Sequence, residues 1–162
     1  MMFKRLFLSH FDTSALCSSQ LYDNETFYRA FTSDLRCARQ NVYIESPFIT
    51  AKRMESLLPI LGRLRIRGVS ITVNTRNPDE HDGDYINQAY DAVARLQNME
   101  VTVLYTVKHH RKLAIIDGSV LWEGSLNILS QNDSCELMRR TNSEVVARQM
   151  MNFLRIGKYA AI

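Results

Sequence analysis

The sequence predicts an α/β fold, a mixed, largely parallel sheet sandwiched between helices. Three observations carry this expectation. Apolar residues recur at helical spacing in four segments. Short runs rich in β-branched residues fall between them, the order of a sheet covered by its own connections. Late in the chain the alternation gives way to two short apolar runs around Asp117-Gly118, a tight-turn pair that signals a hairpin.

Each element follows from its residues. Asn24 is placed to cap a helix whose Phe27, Phe31, Leu35 and Ala38 share a face. Asn41–Ser46 (NVYIES) reads as a strand stopped by Pro47. Met54, Leu57, Leu58, Leu61 and Leu64 mark a second helix. Pro59 fits it if the helix begins near Ser56, since a first turn does not need every N–H. Gly68 ends that helix. Val69–Thr75 is a strand and NPDEHDGD (Asn77–Asp84) a loop. Ile86, Ala89, Tyr90, Val93 and Leu96 form a third helical stripe, and Glu100–Tyr105 another strand. The hairpin KLAIID and SVLWE follows, then a strand-like run at Glu136–Arg140. Asn142 or Ser143 caps a last helix bearing Val146, Met150, Phe153 and Leu154.

A chain of 162 residues, 46% hydrophobic, suits one domain over residues 1–162, with 1–22 readable as an N-terminal arm. No apolar run approaches the ~20 residues of a membrane span. The start, MMFKRLFLSHFDTSALCSS, imitates a secretory leader. His10 and Asp12 interrupt an apolar stretch already too short, so it reads as part of the mature chain. Cys17, Cys37 and Cys135 are odd in number and widely spaced, which suits a reducing, cytoplasmic setting without a disulfide framework. Neither they nor His10, His81, His109 and His110 have metal-ligand spacing, so no metal and no cofactor is expected.

The net charge of +3 is mild, but its distribution is uneven. Lys52, Arg53, Arg63, Arg65 and Arg67 crowd one segment. Lys108, Arg111 and Lys112 surround the two adjacent histidines, and acid gathers at Asp79–Asp84. Basic clusters near a reactive site suit a polyanionic substrate, although charge runs by themselves more often form a solvated face.

The hairpin carries polar residues that folding does not require. His110 and Lys112 are two apart on a strand and project to one side. Ser125 and Asn127 are two apart on the segment leaving the second strand. Gly124 before them lets a ligand or another backbone approach closely. Together these bring an imidazole, an ammonium, a hydroxyl and an amide near one spot, the donors that a phosphate oxyanion needs. Asp117 has the opposite parity and is expected to support the hairpin turn rather than act directly, unless a bulge reverses it. His109 lies off this register.

This pattern (His110-x-Lys112, Asp117, Gly124-Ser125-x-Asn127) resembles the HKD motif of the phospholipase D superfamily. The resemblance implies that superfamily's sandwich fold and a catalytic set of His110, Lys112, Asp117 and a glutamate. Ser125, Asn127 and Gly124 would bind substrate. The chain has one motif, as do small bacterial endonucleases that pool two motifs in a homodimer. The implied chemistry is metal-independent: one His110 attacks phosphorus, and the partner copy's His110 protonates the leaving oxygen and then activates water. The glutamate that orients the histidine is Glu136 or Glu144. Glu136 is favoured because it heads a strand-like run, whereas Glu144 falls at the start of the last helix, where the helix dipole by itself favours an acid.

Three functions follow from the resemblance. The first is a nuclease acting on nucleic acid, DNA before RNA. The second is a phospholipid phosphodiesterase, against which stands the lack of a basic, aromatic amphipathic helix for stable membrane association. The third is a nucleic-acid-binding or dimerisation module with little turnover. Trp122 reads as core or dimer interface rather than a base-stacking platform. Glu45-Ser46-Pro47 and Arg76, at carboxyl ends of parallel strands, are placed to border the pocket.

Overall fold

Val42, Ile44, Ile71 and Val73 alternate along two short runs and, pointing the same way, begin the main hydrophobic core. In the computed structural model, which describes residues 18–130 and 134–156, these runs are strands β2 (Asn41–Glu45) and β3 (Ser70–Thr75). They lie in a seven-stranded mixed sheet with β1 (Ser19–Asp23), β4 (Thr102–Tyr105), β5 (Leu113–Ile116), β6 (Val120–Gly124) and β7 (Leu137–Asn142). The order across the sheet is β1-β7-β6-β5-β2-β3-β4. β2, β3 and β4 run parallel. β5 joins β2 antiparallel, and β6, β7 and β1 continue antiparallel from it. The hairpin turns at Asp117 and Gly118, both at positive φ, as the dipeptide predicts.

Among the described residues three helices cover one face. α1 (Phe27–Cys37) buries Phe27, Phe31 and Leu35. α2 (Ala51–Ile66) buries Met54, Leu57, Ile60, Leu61 and Leu64, and α3 (Asp84–Asn98) buries Ala89, Ala92, Val93 and Leu96. Against them stand Ala114, Ile116, Trp122 and Met138 from the sheet. Trp122 is wholly buried, edge-on to Phe27 and Phe31, and its indole donates to Asp34 Oδ2 at 2.8 Å. It is a core residue. The opposite face carries α4 (Glu144–Leu154), which sets Val146, Ala147, Met150 and Leu154 on Tyr43, Leu113, Ile115 and Leu121.

Several details depart from the sequence expectation. Part of the arm is a strand: β1 pairs with β7 at the sheet edge. Residues 1–17, with Cys17 and the leader-like stretch, lie outside the described residues. The start of α1 is organised by Asp23 rather than Asn24, because the Asp23 carboxylate accepts from Glu25 N, Thr26 N and Thr26 Oγ1. α2 begins at Ala51, so Pro59 sits inside it; the residue is exposed, where a missing intrahelical hydrogen bond can be replaced by water. Tyr90 and Phe153 fit helical stripes but are exposed. Ser143 caps α4, its hydroxyl accepting from Val146 N.

Candidate functional site

β2 and β3 end, β5 begins, and β6 ends on the same side of the molecule, because β5 is antiparallel to β2 and β6 to β5. Chemistry-bearing residues collect there. His110 and Lys112 lie on the segment entering β5. His110 is exposed and Lys112 half-buried. The Lys112 ammonium sits 3.0 Å from His110 Nδ1 and donates to His110 O at 2.8 Å. Burial lowers the Lys112 pKa; Glu136 opposes that shift and Arg76 adds to it. Both groups therefore lie within electrostatic reach of the ammonium.

The Gly-Ser-x-Asn segment leaves β6 at this same end. Gly124 N donates to Lys112 O, which sets the two motif halves side by side. A Cβ on Gly124 would collide with Leu137 O and come within 2.9 Å of Met138 Cα. Of the two uses foreseen for this glycine, the close approach belongs to the β7 backbone. Ser125 is fastened to β7 too: its N donates to Leu137 O at 2.9 Å and its Oγ accepts from Leu137 N at 3.1 Å. Asn127 begins a turn held from two sides. Leu129 N donates to Ser46 Oγ at the end of β2. The Tyr28 hydroxyl lies 3.0–3.2 Å from the carbonyl oxygens of Asn127, Ile128 and Ser130. Burial pushes the Tyr28 hydroxyl up to about 12, so it keeps its proton to donate.

Beneath the site lies a buried polar network. Glu45 has no exposed surface. Its carboxylate accepts from Tyr43 Oη at 2.7 Å, Asn74 Nδ2 at 3.1 Å and Arg111 Nη2 at 3.1 Å, and Arg111 Nε also pairs with it. Burial alone would raise the Glu45 pKa; these donors, Arg111 foremost, outweigh it and hold the group below the usual carboxylate range. His109 is buried with Nε2 3.2 Å from Asn74 O, and its Nδ1 accepts from Arg111 N. Burial lowers its pKa, which suits a neutral bracing ring rather than a substrate contact. Arg76 Nε donates to His109 O at 2.7 Å. His109 and Arg111 are thus pinned by groups of β3 and β2. Sequence reasoning missed Arg111 and Tyr28 as braces. Parity offers a signal for Arg111, which points opposite to His110 and Lys112, on the Glu45 side.

Other candidates lie elsewhere. Asp117 is at the far end of β5, where its carboxylate accepts from the backbone N–H groups of Arg39, Gln40 and Asn41 at 2.8–3.2 Å. It is removed from the imidazole and ties the hairpin turn to the connection between α1 and β2. Glu136 precedes β7, at the end of that strand where Gly124 pairs with Met138, and accepts from Ser134 Oγ at 2.7 Å. Glu144 follows the other end of β7, six residues and about 20 Å along the strand direction. Arg63, Arg65 and Arg67 close α2 at that distant end as well: Arg67 donates to Arg36 O and Ala38 O, and Arg65 pairs with Glu100. That basic cluster does not border the site.

Residues 31–156 match the family model described as cardiolipin synthase, PLD-like domain. The chain belongs to the phospholipase D-like family. No curated protein sequence is significantly similar to it. Among solved structures it resembles Nuc from Salmonella typhimurium, described as a phospholipase D family member, with TM-score 0.70 and 17% identity over 85% of this chain and 91% of that one. NucT from Helicobacter pylori matches with TM-score 0.67 and 17% identity over 85% and 92%. TrmBL2, an archaeal chromatin protein described as showing a novel mode of DNA binding, matches with TM-score 0.60 and 12% identity over 88% of this chain and 52% of that one. The phospholipase D-like match spans the motif residues from His110 to Asn127 and both candidate glutamates. Among the described residues no helix is long and apolar enough to cross a membrane.

Proposed function

We propose that this protein is a nuclease that hydrolyses phosphodiester bonds of nucleic acid, DNA before RNA, through a phosphohistidine. The observation that carries the reading is the Lys112 ammonium on the His110 ring, at the end of the sheet where the Gly-Ser-x-Asn segment also converges. With Lys112 donating to Nδ1, the neutral ring carries its proton on Nε2 and is not yet nucleophilic. An incoming phosphate draws Lys112 away, the ring gives its Nε2 proton to solvent water and takes one from water at Nδ1, and Glu136 then accepts a hydrogen bond from Nδ1–H. Nε2 then attacks phosphorus while the bond to the leaving oxygen breaks, and a second imidazole gives that oxygen a proton. The same imidazole next removes a proton from water, whose oxygen displaces His110 from phosphorus. Lys112, Ser125 and Asn127 hold the non-bridging oxygens.

The second imidazole is the partner copy's His110 in a homodimer. A surface groove beside Lys112 and Gly124, rimmed by the exposed Leu21, Leu137 and Phe153, supports such a pairing. The fold shared with Nuc and NucT supports a phosphodiesterase unit built around the one motif that this sequence carries.

The test is cleavage of single- and double-stranded DNA and RNA in EDTA by wild type and His110→Ala. Wild type should cut, and the exposed His110 should be replaceable without loss of folding. Equal activity of the two proteins would sink the mechanism. Adding His110→Ala protein to a fixed amount of wild type should lower activity, because mixed dimers hold one imidazole; an unchanged rate would mean that each chain works alone.

A phospholipid substrate is the second reading, favoured by the cardiolipin synthase description of the matched family model. Release of head groups from anionic vesicles, without cleavage of nucleic acid, would establish it.

A further inference from the structure

Beside the phosphate-binding end, the loops after β2 and β3 build an aromatic surface. Phe48 follows β2 and is half-buried. His81 packs against it at 5.1 Å between ring centroids, and Tyr85 meets it edge-on at 6.4 Å with a 66° interplanar angle. Tyr85 is 48% exposed. The Arg76 guanidinium lies 5.0 Å from the Phe48 ring centroid. The same arginine is tied to His109 O and acts electrostatically on Lys112, so the aromatic surface and the phosphate-binding ammonium share a neighbour. Glu80 fastens the loop to the histidine segment by accepting from Lys108 N at 3.0 Å.

The surface has no evident duty in folding. Phe48 and Tyr85 stand outside both apolar clusters, and part of each ring area faces solvent. Charges of both signs flank it. Arg76 lies against the Phe48 ring and bonds His109 O, and Glu80 and Asp82 act on His81 from the loop. A phosphate is drawn to Arg76 and Lys112, while the neutral face of a base one sugar away packs on the rings. An anionic membrane surface would meet the acidic Asp79, Glu80, Asp82 and Asp84 of this loop.

We propose that Phe48 and Tyr85, with Arg76 between them and the catalytic end, form a stacking surface for a nucleobase next to the bound phosphate. The inference rests on the nucleic-acid reading above and makes it narrower. Bases in a duplex are already stacked on one another, so this surface selects single strands or frayed ends. Aromatic stacking of this kind is tolerant of base identity and strengthens binding by roughly tenfold per base.

The test compares a short oligothymidylate with an oligomer of the same length in which every sugar lacks its base, leaving an identical phosphodiester backbone. Affinities of the full-length protein for both are measured by fluorescence anisotropy in EDTA. Wild type should bind the thymidylate about tenfold more tightly. Tyr85→Ala and Phe48→Leu should bring the ratio of the two affinities toward one, and Phe48→Trp should keep it. The leucine substitution retains apolar bulk, so a collapsed loop does not imitate the loss of the ring face. A wild-type ratio near one, no binding of either oligomer, or a ratio unmoved by both substitutions would overturn the proposal. Cleavage in EDTA with a ratio of one discards the stacking surface alone. A ratio of ten without any His110-dependent cleavage discards the nuclease reading and leaves the surface.

Discussion

Glu45, with no exposed side-chain surface, is paired through both carboxylate oxygens with Arg111, whose side chain is 46% exposed. The pair joins the end of β2 to the residue between His110 and Lys112. A carboxylate in that position is costly to bury and persists because four donor contacts meet it. Its consequence is directional: with Arg111 held on one face of the segment, the neighbouring His110 and Lys112 are turned to the other.

Removing Arg111 should therefore destabilise the fold in a pH-dependent way. Arg111→Ala leaves Glu45 buried with only Tyr43 and Asn74 as donors, and the loss at pH 7 should be about 3 kcal/mol. Glu45 is held below its ordinary 4.5, so its stabilisation is present above that value and lost as pH falls through the lowered one. Without the guanidinium its proton affinity rises, and the variant's Glu45 becomes neutral first. The gap between the two proteins should close as pH falls through this window. Urea denaturation at steps from neutrality into acid measures it; a gap independent of pH would mean that the pair is not what stabilises the segment.

Asp117→Ala should separate structural support from chemistry. Its carboxylate serves three backbone N–H groups where α1 passes into β2. Losing charged hydrogen bonds of that kind should cost about 2–3 kcal/mol. Cleavage by the folded variant, measured well below its unfolding temperature, should stay within a few-fold of wild type. A drop comparable to that of His110→Ala, with stability unchanged, would return Asp117 to the reacting groups.

The core and the element order were legible because period alone encodes them: Phe27, Phe31 and Leu35 recur at helical spacing, and Val42 and Ile44 alternate. The motif residues were legible as polar intrusions into an apolar hairpin. Position along the sheet was not. Glu144 and the α2 arginines look close to the motif in sequence or charge, but strand direction carries them to the opposite end, where Asp117, already set apart by its parity, also lies. β1 was missed because five residues at a sheet edge, most of them exposed or half-buried, leave no clear alternation. Tyr28 was missed because its partners are carbonyl oxygens about a hundred residues away, which no local pattern announces.

Gly124→Ala tests the reading of the motif glycine. The added methyl would strike the Leu137 carbonyl and approach Met138 Sδ to 2.8 Å, so β7 must withdraw from β6. Overpacking against side chains costs about 1–3 kcal/mol, and backbone yields less readily, so the loss should reach or exceed the top of that range. Thermal unfolding measures it. A variant as stable as wild type but unable to bind substrate would instead assign the open space to a ligand.

The choice between the two glutamates can be settled by matched substitutions. Glu136 immediately precedes β7, at the end of that strand where Gly124 pairs with Met138, and acts on Lys112. In the proposed mechanism it holds Nδ1–H and stabilises the charged ring as phosphorus is attacked. Glu136→Gln keeps the shape and removes the charge, and kcat should fall by roughly a hundredfold, with a smaller change in KM. Glu144→Gln alters an exposed acid in the first turn of α4, beyond the other end of the strand. Its effect should be confined to stability, about 0.5 kcal/mol through the helix dipole. If Glu144→Gln abolishes turnover while Glu136→Gln does not, the geometric assignment fails.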